Sequence, residues 1–399
     1  MGADPTSLLP AEMMLPNRTL TARGAADGLI NKCRQFGSRG MLVCGTSLAR
    51  GGGLRRILGE NAGNHDICTW RHPGGEPTLD QVEQLLSAAR GHGADWVAAV
   101  GGGSVMDLAK ACAGLLDAPA APESYHDGDP IPASRIPFIA VPTTAGTGSE
   151  MTIVSVLTNT RTGVKKSIRH PSFMARLVIL DADLLTTCSP AVIAASGMDA
   201  LTQAIESYAS RRATWVTDCC ALQAARLIHA ALPCVFDGDW GAPCDNLLLG
   251  SAMAGVALSN ARLGLVHGLA HPLGARFHQP HGLVCAVCLP SVLAFNRDAM
   301  GERYATLSEI MDGDVLTSVV AMLDKLQLTS PFSGKRLDDT DVVVAETLAS
   351  GSTAANPRKV TEADVKAILD GLFDASRSPI DPEHCPRRPA TCSDFATAP

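Results

Sequence analysis

The feature that most constrains this fold is an alternation in the first half of the chain, where short apolar runs end in glycine- or threonine-rich loops and helical stretches separate them. Between about residues 40 and 110 the order is MLVCG, an apolar run, then SLARGGGLRRILGENA, a broken helical stretch. DQVEQLLSAARGHG follows with helical periodicity, and WVAAVGGG reads as a buried strand ending in glycine. IPFIAVPTTAGTGSE repeats the strand-then-loop arrangement, and LVILDADLL adds a strand before Pro190. Such alternation predicts a parallel sheet with helices on its faces. Beyond that point β-branched runs become scarce. DALTQAIESYAS, DCCALQAARLIHAALP, NLLLGSAMAGVALSNA and DGDVLTSVVAMLDKLQL fit helices by propensity and by apolar spacing of three and four. The expected architecture is a Rossmann-like α/β unit over 1–190 and an all-α unit over 191–399, with a loose tail from about 375.

A chain of 399 residues has material for two such units. Its net charge of -7, with 40 acidic against 33 basic residues and no basic block, argues against a nucleic-acid partner and points to small molecules. The longest apolar runs, 96–100 and 136–141, fall short of the roughly 20 residues of a bilayer crossing, so no membrane partner is expected. The opening MGADPTSLLPAEMMLPNRTL lacks a basic lead into an apolar stretch, which predicts a cytoplasmic protein. Thirteen cysteines, odd in number and unevenly spaced, read as reduced and mostly buried thiols. Cys285 and Cys288, in an Ala/Leu/Val setting, read as buried helical thiols.

Gly101-Gly102-Gly103-Ser104 follows one apolar run and opens VMDLAKACAGLL. Glycines let backbone approach a ligand, and the helix start offers N–H groups to a phosphate. A tight turn without a ligand is the competing explanation. Thr143-Thr144-Ala145-Gly146-Thr147-Gly148-Ser149 gathers hydroxyls and glycines after another strand. Two such loops at strand ends suit a dinucleotide. Neither is G-x-G-x-x-G, and Gly51-Gly52-Gly53 reads as a broken helix start.

Four of the eleven histidines, His267, His271, His278 and His281, fall within fifteen positions. His267 and His271 share a face if helical, with Pro272 marking a break in the regular pattern. An imidazole cluster suits Zn(II) or Fe(II), and a carboxylate would add charge. Asp199, Gln203 and Glu206 share one helix face by their spacing, and composition does not choose among them.

At these residues the chain resembles the iron-containing (group III) alcohol dehydrogenase family, over about residues 20 to 370. The marks are GGGSVMDLAK at 101–110, PTTAGTGSE at 142–150, SGMDALTQAIESY at 196–208 and the histidine segment from 267 to 282, with NPR at 356–358 as a weaker one. The resemblance implies a dehydroquinate synthase-like fold: a nicotinamide-binding α/β domain, a helical domain holding one divalent metal, Fe(II) or Zn(II), and a cleft between them. It places Asp199, His267 and His281 at ligand positions and Gln203 where a metal-binding histidine is usual. It also makes His271 and Lys166 candidate catalytic residues beside the nicotinamide. Cofactor contacts are expected from Thr46, Ser47, Gly102, Gly103, Ser104, Asp107, Thr143, Thr144, Thr147 and Lys166. Asp107 is expected to support the loop, as a carboxylate at a helix start does.

Thr46 stands where many NAD-preferring members carry an acid, which removes the repulsion against a 2'-phosphate, so NADP(H) is expected over NAD(H). The implied reaction is reversible hydride transfer with a small primary alcohol or aldehyde, in a homodimer. The basic segment GVKKSIRHPS and the missing ligand histidine motivate an alternative: a reductase of an anionic carbonyl compound, independent of metal. A third reading is a nucleotide-binding protein that has lost catalysis.

Overall fold

A computed structural model describes residues 11–46, 48, 53–59 and 66–374. Ser47, Arg50, Gly51, Gly52 and the tail from 375 lie outside the described residues. Six strands form one parallel sheet: β1 (Thr19–Thr21), β2 (Arg39–Cys44), β3 (Asp66–Arg71), β4 (Trp96–Gly101), β5 (Phe138–Pro142) and β8 (Leu177–Leu180), in the order β1-β8-β5-β4-β2-β3. The strands β6 (Val154–Thr158) and β7 (Lys165–Arg169) make a separate antiparallel pair. Every residue of β4 and β5 is buried, as expected of central strands covered on both faces. This is why their sequences are apolar runs rather than alternations.

Helix α1 (Leu79–His92) begins at a capping box between Thr78 and Gln81 and ends at Gly93 in the left-handed conformation. It buries Leu79, Val82, Leu85, Leu86 and Ala89, the spacing of one helical stripe. Helix α2 (Gly103–Leu115) leaves the C-terminal end of β4 and packs back on β4 and β5.

The helical half is built around α3 (Pro190–Ala209), which Ser189 caps through the Val192 amide, with Pro190 at the first position. Its last thirteen residues are all buried, because α4 (Trp215–Phe236), α5 (Ala242–Ala261) and α7 (His281–Met300) surround it. Helix α6 (Leu265–Phe277) packs beside α7. Pro272 lies inside α6 and does not break it, a departure from the sequence expectation. The residue four before it is Gly268, so no side chain there adds to the crowding by the proline ring.

Short apolar runs understated two helices. By length and mean hydropathy (1.5 and 1.4), Trp215–Phe236 and His281–Met300 are apolar enough to cross a membrane. Here both pack against α3 inside the bundle. Among the described residues no cysteine is in a disulfide, and six are buried, Cys285 and Cys288 included.

Candidate active site

The ends of β4 and β5 bring the two loops together. Gly101 pairs with Pro142 in the parallel ladder, and the Thr143 amide donates to the Gly101 carbonyl at 3.0 Å. A Cβ on Gly103 would lie 2.6 Å from Thr147 Cγ2, and one on Gly102 3.2 Å from Thr144 Oγ1. Glycine is therefore required for the loops to touch. No side chain caps the start of α2, which leaves the first amides, including that of Ser104, without helical partners. Thr46 is exposed just past the end of β2.

Asp107 and Lys110 fasten the second loop. Asp107 accepts from Ser149 Oγ at 2.6 Å and from the Val156 amide at 2.9 Å. Its partners come from the second loop and β6 rather than from amides at the start of its own helix. Burial raises its carboxyl above the usual range. Lys110 is fully buried and donates to Ser149 O (2.6 Å), Ser149 Oγ (2.7 Å), Thr152 Oγ1 (3.1 Å) and Val154 O (2.7 Å). Burial brings its ammonium down to about 8. The turn Ser149–Met151 packs on α5, so the loop touches the helical half.

Three helices supply the second part. Asp199 from α3, His267 from α6, and His281 and Cys285 from α7 place one donor atom each within 4.8 Å of one another. Asp199 Oδ1 lies 3.4 Å from His267 Nε2 and 3.9 Å from His281 Nε2. A Cβ on Gly282 would stand 2.2 Å from the Ala195 carbonyl oxygen, so glycine lets the start of α7 reach α3. The His271 ring stacks on His281 with centroids 5.1 Å apart. His278 ends α6 in the left-handed conformation and is not among the clustered donors.

Glu206 resolves the choice that spacing left open. Its Oε2 accepts from His267 Nδ1 at 2.6 Å and its Oε1 from the Val266 amide at 2.6 Å. Glu206 thus orients the imidazole with Nε2 toward Asp199, the usual way a carboxylate supports a metal-binding histidine. The i, i+4 spacing from His281 could have drawn attention to Cys285, and spacing alone does not distinguish Glu206 from Asp199, which only the family resemblance singled out.

The buried groups of the cluster shift one another's protonation. Burial opposes ionisation of Asp199, but His267 and His281 outweigh it and hold the carboxyl below its usual range. Burial also opposes a charged His267, yet Cys285, Asp199 and Glu206 raise it well above the ordinary value. His281 is brought down to about 4 and His271 well below its usual value, by burial first in both cases. Asp199 Oδ1, Gln203 Oε1 and His271 Nδ1 are buried without a hydrogen-bond partner. The clustered carboxylate and imidazole donors, with Asp199 Oδ1 buried and lacking a hydrogen-bond partner, fit a divalent metal.

Lys166 on β7 is 43% exposed and lies 3.9 Å from Asp127. Lys165 is 14% exposed, pairs with Glu76 at 2.5 Å, and contributes to lowering both His271 and His281.

The family model described as "Iron-containing alcohol dehydrogenase" matches residues 16–182, and "Fe-containing alcohol dehydrogenase family, C-terminal" matches 193–373. Probable alcohol dehydrogenase EutG of Salmonella typhimurium is 35% identical, over 88% of this chain and 92% of its own length. NADPH-dependent butanol dehydrogenase of Clostridium saccharobutylicum is 30% identical, over 90% and 97%. The crystal structure of sulfoacetaldehyde reductase from Bifidobacterium kashiwanohense in complex with NAD+ superposes with a TM-score of 0.85 at 25% identity, covering 92% and 99%. The chain belongs to the iron-containing alcohol dehydrogenase family. It is an oxidoreductase, an alcohol dehydrogenase or aldehyde reductase that works with a nicotinamide cofactor.

Proposed function

We propose that this enzyme interconverts a small primary alcohol and its aldehyde, with Asp199, His267 and His281 holding one Fe(II) or Zn(II) and Gln203 beside them. The observation that carries this reading is the convergence of those donors around the unpartnered, buried Asp199 oxygen. When bound, the metal supplies Lewis acidity to the substrate oxygen and the nicotinamide supplies or accepts hydride. The protein does the rest. Gly102, Gly103 and Ser104, with Thr143, Thr144 and Thr147 alongside, present amides and hydroxyls to the pyrophosphate and ribose. Asp107 and Lys110 act at one remove by keeping the second loop in place. Thr46 lies beside the adenosine ribose, and the lack of an acid there favours NADP(H) over NAD(H).

His271, whose buried Nδ1 has no hydrogen-bond partner and whose ring stacks on His281, is the candidate to pass a proton between the alcohol oxygen and solvent. Lys165 takes the role expected of Lys166 by placing positive charge near the reacting groups. A homodimer in the cytoplasm, with units dividing near residue 190, completes the proposal. The test is aldehyde reduction with NADPH and with NADH by metal-free enzyme and by enzyme reloaded with one equivalent of Fe(II) or Zn(II). Restored turnover supports the reading; equal turnover without metal removes it.

One observation favours the second reading, an anionic carbonyl substrate. Lys165, Lys166 and Arg169 stand along β7, and a strand this basic suits a carboxylate, sulfonate or phosphonate. Comparing neutral and anionic aldehydes of equal length separates the two readings.

A further inference from the structure

The fourth donor of the cluster is not the residue at the expected ligand position. Gln203 offers only a neutral amide, a weaker ligand than imidazole for Fe(II) or Zn(II). Cys285 lies one turn along α7 from His281, and its sulfur is 3.5 Å from His281 Nε2 and 3.8 Å from His267 Nε2. We propose that Cys285 is a metal ligand in this chain, completing an Asp199–His267–His281–Cys285 set that takes over from the position occupied by Gln203. The inference rests on the metal-dependent reading above and specifies its site.

Geometry carries it. Zinc bonds of about 2.0–2.1 Å to nitrogen or oxygen and about 2.3 Å to sulfur, at tetrahedral angles, put neighbouring donors about 3.3–3.6 Å apart. The edges recorded here are 3.4 and 3.9 Å from Asp199 Oδ1 to the two imidazoles, and 3.8 and 3.5 Å from the sulfur to the same nitrogens. These four edges come within a few tenths of an ångström of tetrahedral spacing, and all four donor atoms lie within 4.8 Å of one another. Asp199 is only 2% exposed and its Oδ1 is unpartnered, an independent sign that the cluster is built around a ligand. On binding, the thiol proton leaves to solvent and the sulfur lone pair forms the metal–sulfur bond, with no change of oxidation state. A thiolate donor shifts the preference toward zinc and away from all-oxygen-and-nitrogen iron chemistry. A metal held by these four residues would supply Lewis acidity to the substrate oxygen.

Cobalt(II) reports the sulfur directly, independently of turnover. The full-length enzyme is stripped of metal and titrated with Co(II), for wild type, Cys285→Ser and the double variant Cys285→Ser/Gln203→His, with circular dichroism as the check on folding. The expected result is visible ligand-field bands together with a near-ultraviolet sulfur-to-cobalt charge-transfer band in wild type. Cys285→Ser should lose the charge-transfer band and bind cobalt at least ~100-fold more weakly, the upper end of what losing a supporting group costs. The double variant should regain affinity without the band. Ligand-field bands without charge transfer in wild type, or a charge-transfer band that survives in Cys285→Ser, would overturn the inference and leave the metal reading standing. Wild type that binds no cobalt at all would overturn the metal reading itself. The wild-type spectrum decides between these even if a variant fails to fold.

Discussion

Gly282→Ala tests whether the approach of α7 to α3 builds the site. The added Cβ would sit 2.2 Å from the Ala195 carbonyl oxygen and 3.3 Å from Asp199 Cβ, whereas real Cβ contacts stay beyond 3.0 Å. The obstacle is backbone, so no side-chain rotation relieves it, and the start of α7 must retreat by about 0.8 Å (3.0 less 2.2). Overpacking of this kind costs roughly 1–3 kcal/mol, and alanine's better helix propensity returns at most about 1. At about 2–4 °C per kcal/mol for a unit of this size, the melting temperature should fall by several degrees. Metal binding should suffer more. His281 and Cys285 both ride on α7, and a metal site tolerates only about ±0.2 Å in its bond lengths, so cobalt affinity should drop by at least ~10-fold. Gly371→Ala is the control, because a Cβ there meets nothing within 4 Å, and it should leave both quantities unchanged or raise stability slightly. The assay is thermal unfolding beside cobalt titration. Gly282→Ala with wild-type melting and wild-type cobalt affinity would refute the claim that this close approach sets the donor geometry.

Three further outcomes follow from other parts of the molecule. Glu206→Gln removes the carboxylate that orients His267 and should weaken metal binding about 10–100-fold with secondary structure intact by circular dichroism, as read by chelator competition. Gly103→Val should raise the KM for the nicotinamide cofactor while leaving cobalt affinity as it was, since its side chain would collide with Thr147 and not with the metal donors. Burial pushes the Glu150 carboxyl up to about 7, so the folded chain holds its proton more tightly than the unfolded one. That stabilisation is present below the unfolded value of 4.5 and is lost as pH rises through about 7. Glu150→Gln should therefore flatten the fall in stability across that window and exceed wild type at pH 8 by up to about 3 kcal/mol, measured by urea unfolding at several pH values.

The buried centre of this molecule was written plainly in the sequence. β4 and β5 are apolar throughout because parallel strands are covered on both faces, and their glycine and threonine loops mark where helices must follow. The edge strands were not legible: β1 has three residues, and DICTWR in β3 lacks a clean alternation because it is only half-covered. Lys165 and Lys166 are indistinguishable as letters, and the structure separates them by exposure and by partner, Glu76 for the first and Asp127 for the second. Asp199 and Glu206 likewise share a helix face. Their different partners, one against the histidine Nε2 atoms and one against His267 Nδ1, depend on how α6 crosses α3, which no local pattern encodes. Cys285 is buried as its apolar neighbours lead one to expect, and its nearness to His267 and His281 depends on how α6 and α7 pack, which no local pattern encodes.

The most direct test of the central claim measures metal content and turnover together. Purified enzyme is stripped stepwise with a chelator, each fraction is analysed for iron and zinc, and aldehyde reduction is followed by oxidation of the reduced nicotinamide. Activity that falls in proportion to the metal lost, and returns at one equivalent per chain in wild type but not in His281→Ala, is the predicted result. Undiminished reduction by protein containing no iron or zinc would contradict it.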